Sequence, residues 1–173
     1  MRIYLAGPLF TSAEQAFNLE LASNLMELGH DVFLPQRDCP PMDQKGPNGI
    51  AEACLQGIRS ADAVVAILDG PDADSGTCVE LGYAHAYNEL EWAATREENH
   101  AQERPPKVRC LLGVRTDFRK GGDSGEAPVN LMIPHLVHRF LTFQDKNGSP
   151  LCPTPKDVAE LVHIELGLLE TEL

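Results

Sequence analysis

Residues 61–87 read ADAVVAILDGPDADSGTCVELGYAHAY, and the way this stretch divides decides the fold. Residues 63–68, AVVAIL, are apolar at every position and partly β-branched, the pattern of a short strand buried on both faces. Residues 69–74 form a turn of Asp, Gly, Pro and Ala, and Asp74 or Ser75 stands where the cap of the next helix belongs. That helix runs to about Ala94 and carries Glu80 between TCV and LGYA.

Working back from the strand, Ile50, Ala53, Cys54, Gly57 and Ile58 recur at helical spacing within residues 49–60. Residues 36–48 are rich in Pro, Asp and Gly and predict a surface loop longer than most connections. DVFLP at 31–35 reads as a short strand closed by proline. A helix before it is capped by Ser12, carries Ala16, Leu19, Leu21, Leu25, Met26 and Leu28 as a broad stripe, and stops at Gly29. Residues 2–6 are an apolar run closed by Gly7-Pro8, a first strand ending in a turn.

Downstream, residues 95–106 read as a polar surface insert, or as charges that extend the helix. Residues 108–114 predict a central strand, 115–128 a charged loop, and 129–133 a short segment interrupted by Pro134. An edge strand at 138–143 precedes a closing helix at 155–169, with Val158, Leu161, Val162, Leu166 and Leu169 on one face. Strand and helix alternate, which predicts one α/β domain over residues 1–173: a mostly parallel sheet with helices on both faces. Ligands of such sheets bind past the carboxyl ends of the strands, where the strand order reverses. Gly7-Pro8 and the segments 35–38, 69–74 and 115–119 therefore converge on one rim.

Composition narrows the chemistry. With 173 residues, 43% of them hydrophobic, the chain can bury one core. Its net charge of -12 argues against nucleic-acid polymers and anionic membrane surfaces as partners, leaving small molecules and proteins. Cys39, Cys54, Cys78, Cys110 and Cys152 show no paired short spacings, so neither a disulfide framework nor a thiolate zinc site is indicated and a reducing, cytoplasmic setting is expected. No basic segment leads into an apolar run at residue 1, and no apolar run is long enough for a bilayer.

Carboxylates in turns satisfy local backbone donors and are favoured near helix starts, which is the plainer account of Asp72. Glu80 lies deeper in the helix, among small and apolar residues. A carboxylate there, placed beside a sugar, is able to attack the anomeric carbon and form a glycosyl ester. Tyr4 reads equally as a core residue or as a hydroxyl that reaches the rim and orients Glu80. No metal site is expected: His85 lies off the face of Glu80, and His135 and His138 flank a proline-broken segment without a carboxylate at useful spacing. Gly70 and Gly76 fit neither a Walker loop nor a dinucleotide fingerprint.

IYLAGPLF at the start, DAVVAILDG followed by DSGTCVELGYA in the middle, and VNLM near residue 130 together resemble the nucleoside 2-deoxyribosyltransferases. The resemblance spans residues 2–132 and implies a flavodoxin-like fold, no cofactor, and dimers or larger homo-oligomers with composite sites. It implies transfer of 2-deoxyribose between a nucleoside and a free nucleobase, with retention. Glu80 matches the family's nucleophile and Tyr4 the tyrosine that positions it. Asp74 matches a residue holding the sugar 5'-hydroxyl, and Asn130 an asparagine reaching the neighbouring subunit's site, with Met132 close by. In related nucleotide hydrolases a serine stands at the position of Asp74, and an ionised aspartate repels a 5'-phosphate, so free nucleosides are the expected substrates. The family's usual aspartate or asparagine against the leaving base aligns with Cys54, whose thiol is no substitute for a carboxyl in protonating a purine. Glu52, Asp38 or Asp69 are the alternatives, and Asp38 is preferred because its loop follows a strand end beside Gln36 and Arg37. Gly7 and Asp69, on the same rim, complete the predicted substrate-binding set.

Overall fold

The AVVAI run becomes the middle strand of a five-stranded sheet that is parallel throughout. In this computed structural model, which describes residues 1–98, 109–120, 122 and 127–172, the strands are β1 (Arg2–Ala6), β2 (Asp31–Phe33), β3 (Ala63–Ile67), β4 (Cys110–Arg115) and β5 (Arg139–Thr142). Their order is β2-β1-β3-β4-β5, so the direction of winding reverses between β1 and β3. Among the described residues six helices follow these strands: α1 (Ser12–Glu27), α2 (Pro35–Asp38), α3 (Met42–Ser60), α4 (Ser75–Glu98), α5 (Met132–Leu136) and α6 (Pro155–Glu172). This is the parallel α/β fold that the alternation predicts, in the flavodoxin-like form that the family resemblance implies. No helix among the described residues is long and apolar enough to cross a membrane.

The pleat sorts the side chains. Because successive residues of a strand point to opposite faces, Ile3 and Leu5 of β1 join one core while Tyr4 and Ala6 join the other. The first core packs Leu21 and Leu25 of α1 and Val158, Val162 and Leu166 of α6 against Val65 and Leu112. The second packs Ile58, Leu81, Ala84 and Ile133 against Val64, Ala66 and Leu111. Tyr4 is thus committed by register to the face covered by the helix that carries Glu80.

Several boundaries differ from the sequence expectation, and three of these differences bear on how the site is framed. Thr11, not Ser12, caps α1: its hydroxyl accepts from Glu14 N at 3.2 Å while Glu14 accepts from Thr11 N at 2.7 Å, a capping box. In the predicted α1 stripe, Leu19 and Met26 stay exposed. The segment 36–48, expected as a loop, is largely helical. Pro35 opens α2 with its φ preset, Asp38 accepts from Leu34 N at 2.7 Å, and α3 starts at Met42, broken only at Gly46, whose φ of 63° precedes Pro47. The helix starting at Ser75 runs to Glu98 rather than Ala94, and most of the insert at 95–106 lies outside the described residues.

Past the carboxyl ends of β3 and β4 a buried cation fixes the rim. The Arg115 guanidinium, 1% exposed on its side chain, donates to the Leu68, Gly70 and Arg119 carbonyls and so ties the turn after β3 to the loop after β4. Asp69 adds a second tie, accepting from Thr116 N at 2.6 Å and Asp117 N at 2.9 Å.

Candidate active site

A cavity of about 670 Å³ opens at the β1–β3 switch point, where this topology places ligands. Gly7 and Leu9-Phe10 from the end of β1, residues 35–42 of the α2 region apart from Asp38, Ile50 and Cys54 of α3, and Asp74, Gly76, Thr77 and Glu80 at the start of α4 line it.

Glu80 reaches this cavity because it lies about one and a half helical turns beyond the Asp74 cap, on the side of α4 that faces β1. Its Oε1 accepts from the Tyr4 hydroxyl at 2.7 Å. The bond joins β1 to the helix that follows β3, and Tyr4, fully buried, has no freedom to point elsewhere. Burial raises the Glu80 carboxyl above the 4.5 of an ordinary glutamate; hydrogen bonds from Tyr4 and the Cys54 thiol oppose that rise, and the charge of Asp74 adds to it. Burial, with the Glu80 charge next, pushes the Tyr4 phenol far above its usual range, so it stays protonated and donates. Tyr4 thus gives the half-buried Glu80 carboxylate a donor that stays protonated.

Tyr4 is itself held by packing. Its ring stacks on Phe33 of β2 with centroids 5.5 Å apart, and α3 passes so close that a Cβ on Gly57 would lie 2.9 Å from two Tyr4 ring carbons. Gly57→Ala is therefore expected to lower stability by about 1–3 kcal/mol, the usual cost of overpacking, and to push the Tyr4 hydroxyl off Glu80. A denaturant midpoint for Gly57→Ala equal to that of the parent, with unchanged m-value, would count against so close a fit.

Asp74 is the N-cap of α4: its Oδ2 accepts from Thr77 N at 2.8 Å and Thr77 Oγ1 at 3.0 Å. Its carboxylate also lines the cavity near Glu80, so capping and a binding role are compatible. Gly7 is pressed against Ile67 and Asn18, where an added Cβ would meet Ile67 Cβ at 3.2 Å. Asn18 donates to Pro8 O at 2.8 Å and to Gln36 Oε1 at 3.3 Å, which fixes the Gln36 side of the cavity.

The remaining predicted residues are placed elsewhere. Asp38 does not line the cavity: besides capping α2 it is paired with Arg37, whose hydrogen bonds hold its carboxyl below the usual carboxylate range. Asp69 faces a separate cavity of about 180 Å³ with Pro8, Phe17 and Asn18, and its oxygens are taken up by residues 116 and 117. Asn130 and Met132 stand on the surface at the start of α5, with Asn130 Oδ1 accepting from Met132 N at 2.9 Å and Met132 66% exposed. His138 serves β4, accepting from Leu111 N at 2.9 Å. The sequence reading missed the walls of the cavity. Leu9, Phe10, Pro35, Pro40, Pro41, Met42 and Ile50 give it an apolar wall, and Pro40, Pro41 and Met42 fall in the proline-rich segment read as a loop.

Comparison with known proteins agrees with this fold. The family model described as nucleoside 2-deoxyribosyltransferase matches residues 3–132. A conserved protein from Enterococcus faecalis V583 superposes with a TM-score of 0.62 at 25% identity, over 92% of this chain and 95% of that one. A 2-deoxyribosyltransferase from Bacillus psychrosaccharolyticus gives 0.58 at 23% identity, over 85% and 88%. A CMP N-glycosidase from Clostridium botulinum gives 0.56 at 14% identity, over 95% and 99%, a likeness of fold alone. No curated protein sequence matches the chain significantly. The family model covers well over half the residues and includes the strand, turn and helix that carry Tyr4, Asp74 and Glu80, so the chain belongs to the nucleoside 2-deoxyribosyltransferase family.

Proposed function

We propose that the protein transfers 2-deoxyribose between purine or pyrimidine bases through a covalent ester on Glu80. The observation that carries this reading is the 2.7 Å bond from Tyr4 to Glu80 beside a cavity large enough for a nucleoside. Tyr4 holds Oε1, which leaves Oε2 to attack C1' of a 2'-deoxynucleoside. The C1'–N bond breaks, the base takes a proton, and the sugar is held as an ester with inverted configuration. A second base attacks C1' through a ring nitrogen, gives up its proton and frees the carboxylate, so the two inversions sum to retention. Asp74 receives the 5'-hydroxyl, and Gly7 lets the substrate approach the end of β1. No cofactor or metal takes part in these steps.

Asn130, with Met132 beside it, completes the site of a neighbouring subunit in a homodimer or larger homo-oligomer. Both are exposed and lie outside their own chain's cavity, which fits such a role. Mixing inactive Glu80→Ala with inactive Asn130→Ala subunits is expected to restore up to about a quarter of the transfer rate for a dimer, one parental site per hybrid. Confirmed subunit exchange without recovery excludes sharing. All five cysteines are free thiols, which fits work in the reducing cytoplasm.

Deoxyinosine incubated with adenine is expected to give deoxyadenosine. A hydrolase is the second reading, favoured by Cys54 where the family usually carries a base-contacting acid and by the apolar wall around it. It predicts hypoxanthine and free deoxyribose alone, and absence of both product sets rejects both readings. Since attack needs ionised Glu80 and burial raises its pKa, the acid limb of kcat/KM is expected at a pH above 4.5, with the rate rising as pH increases through it. A limb at or below 4.5 would show that another group is being titrated.

A further inference from the structure

Two thiols meet at the wall of the Glu80 cavity, and the reaction proposed above uses neither as a nucleophile. Cys39 ends α2 and Cys54 lies on α3; their sulfurs are 3.6 Å apart, both residues are half-buried, and both line the cavity. Cys54 shares this wall with Glu80, and its thiol favours the ionised carboxylate. We propose that Cys39 and Cys54 are a peroxide-oxidised pair whose disulfide takes the Cys54 S–H out of the wall it shares with Glu80 and reversibly silences the site.

The sulfurs are close enough for a small movement to join them. A disulfide needs its sulfurs at about 2.05 Å, so the pair has to close by roughly 1.5 Å. Cys39 is extended, with φ -74° and ψ 149°, and leads into Pro40 and Pro41 between two helices, outside the sheet ladder. Movement of this connector leaves β1 and β2 in place. The cavity gives a small oxidant a path to both sulfurs. One thiol, as its thiolate, attacks a peroxide oxygen, the O–O bond breaks, and a sulfenic acid and water form. The second attacks the sulfenic sulfur and expels hydroxide, which with the released proton becomes a second water. The net change is two thiols and hydrogen peroxide to one disulfide and two waters. Burial and the nearby Cys54 push the Cys39 thiol up to about 12, so the pair answers to sustained oxidant rather than to traces.

The disulfide removes the Cys54 S–H, which favours the ionised Glu80 carboxylate, from their shared wall. Weaker support for that charge predicts a fall in transfer of at least about tenfold. That arm rests on the proposed function; the disulfide and its effect on the Glu80 carboxyl do not.

The test treats the full chain, carrying Cys152→Ser to prevent exposed-thiol cross-linking, with hydrogen peroxide. The intact mass is expected to fall by about 2 Da, with a Cys39–Cys54 peptide in the unreduced map. The Glu80 carboxyl carbon, followed by NMR, is expected to titrate at higher pH than in the reduced protein, and dithiothreitol to reverse both changes. Deoxyribose transfer from deoxyinosine to adenine falls and recovers in parallel, while Cys39→Ser, compared with itself before and after peroxide, keeps its rate. Oxidation of Cys78 with Cys39 and Cys54 still free overturns the proposal, as does a disulfide form with an unmoved Glu80 titration. If no nucleoside is turned over before oxidation, the failure belongs to the proposed function, and the peptide map with the NMR titration still decides this one.

Discussion

Replacing Glu80 by glutamine is expected to lower sugar transfer by about 10⁴-fold or more and, in the same protein, to raise the melting temperature. The first effect follows from chemistry: an amide is a poor nucleophile toward C1', and removal of a nucleophile typically costs that much. The second follows from burial. The folded protein raises the Glu80 pKa above 4.5, so between 4.5 and the raised value the folded state keeps a proton the unfolded chain has lost. Stability therefore falls as pH rises through that window, and above it the ionised carboxylate opposes folding. Glutamine carries no charge to desolvate and still offers an oxygen to the Tyr4 hydroxyl, which is 2.7 Å from Glu80 Oε1. Glu80→Ala loses transfer equally but leaves Tyr4 unpaired in a fully buried position, so it is expected to melt below Glu80→Gln. Melting curves from pH 5 to pH 8 with a transfer assay check both halves. A glutamine variant that transfers normally would sink the covalent mechanism. One that melts below the parent at pH 8 would show that Glu80 is not strained by burial.

The contrast between Tyr4 and Asp38 shows what the sequence discloses about such a site. Tyr4 was legible in outline: it lies in a strand of fixed register, and strand alternation leaves only two faces. Which face it joins depends on whether α1 and α6 or α3 and α4 cover it, and that is a property of the strand order, where β1 lies between β2 and β3. Glu80 was legible because the Asp74 cap sets its angle around α4. Asp38 also follows a strand end, but it lies outside the cavity lining because its short-range partners, Leu34 N and Arg37, have first claim on it. Local side chain to backbone bonds of this kind are decided within four residues, yet a helix as short as α2 has too few residues to show a period. The apolar cavity wall was hidden for the same reason. Pro35, Pro40 and Pro41 signal turns in composition, but here they shape a surface. Arg115 was hidden differently, since its partners are carbonyls of residues 68, 70 and 119, which no side-chain pattern reports.

Asp74→Ser is expected to change which substrate the protein accepts while leaving its fold nearly untouched. Serine is as good an N-cap as aspartate, so the bond to Thr77 N, now 2.8 Å from Asp74 Oδ2, can be remade by a hydroxyl and the start of α4 preserved. What disappears is a negative charge at the mouth of a helix N-terminus, a place that favours anions. A Cβ on Gly76 would lie only 3.1 Å from Asp74 Oδ2, so this carboxylate sits directly over the first turn and denies that ground to any other anion. A 5'-phosphate brought to about 5 Å from the carboxylate meets a repulsion of roughly 3 kcal/mol per unit charge at an effective dielectric near 20. Its removal predicts a gain of about 10² to 10³-fold in kcat/KM for a deoxynucleoside 5'-monophosphate. Deoxynucleosides move the other way, by about tenfold or more, because their 5'-hydroxyl loses a charged acceptor. Asp74→Asn separates charge from shape: it keeps the outline and the cap but not the charge, so it should share the nucleotide gain. If the parent protein already turns over nucleotides as well as nucleosides, Asp74 does not select between them. If serine gains and asparagine does not, room rather than charge is what the carboxylate denies, and the electrostatic account of this subsite fails.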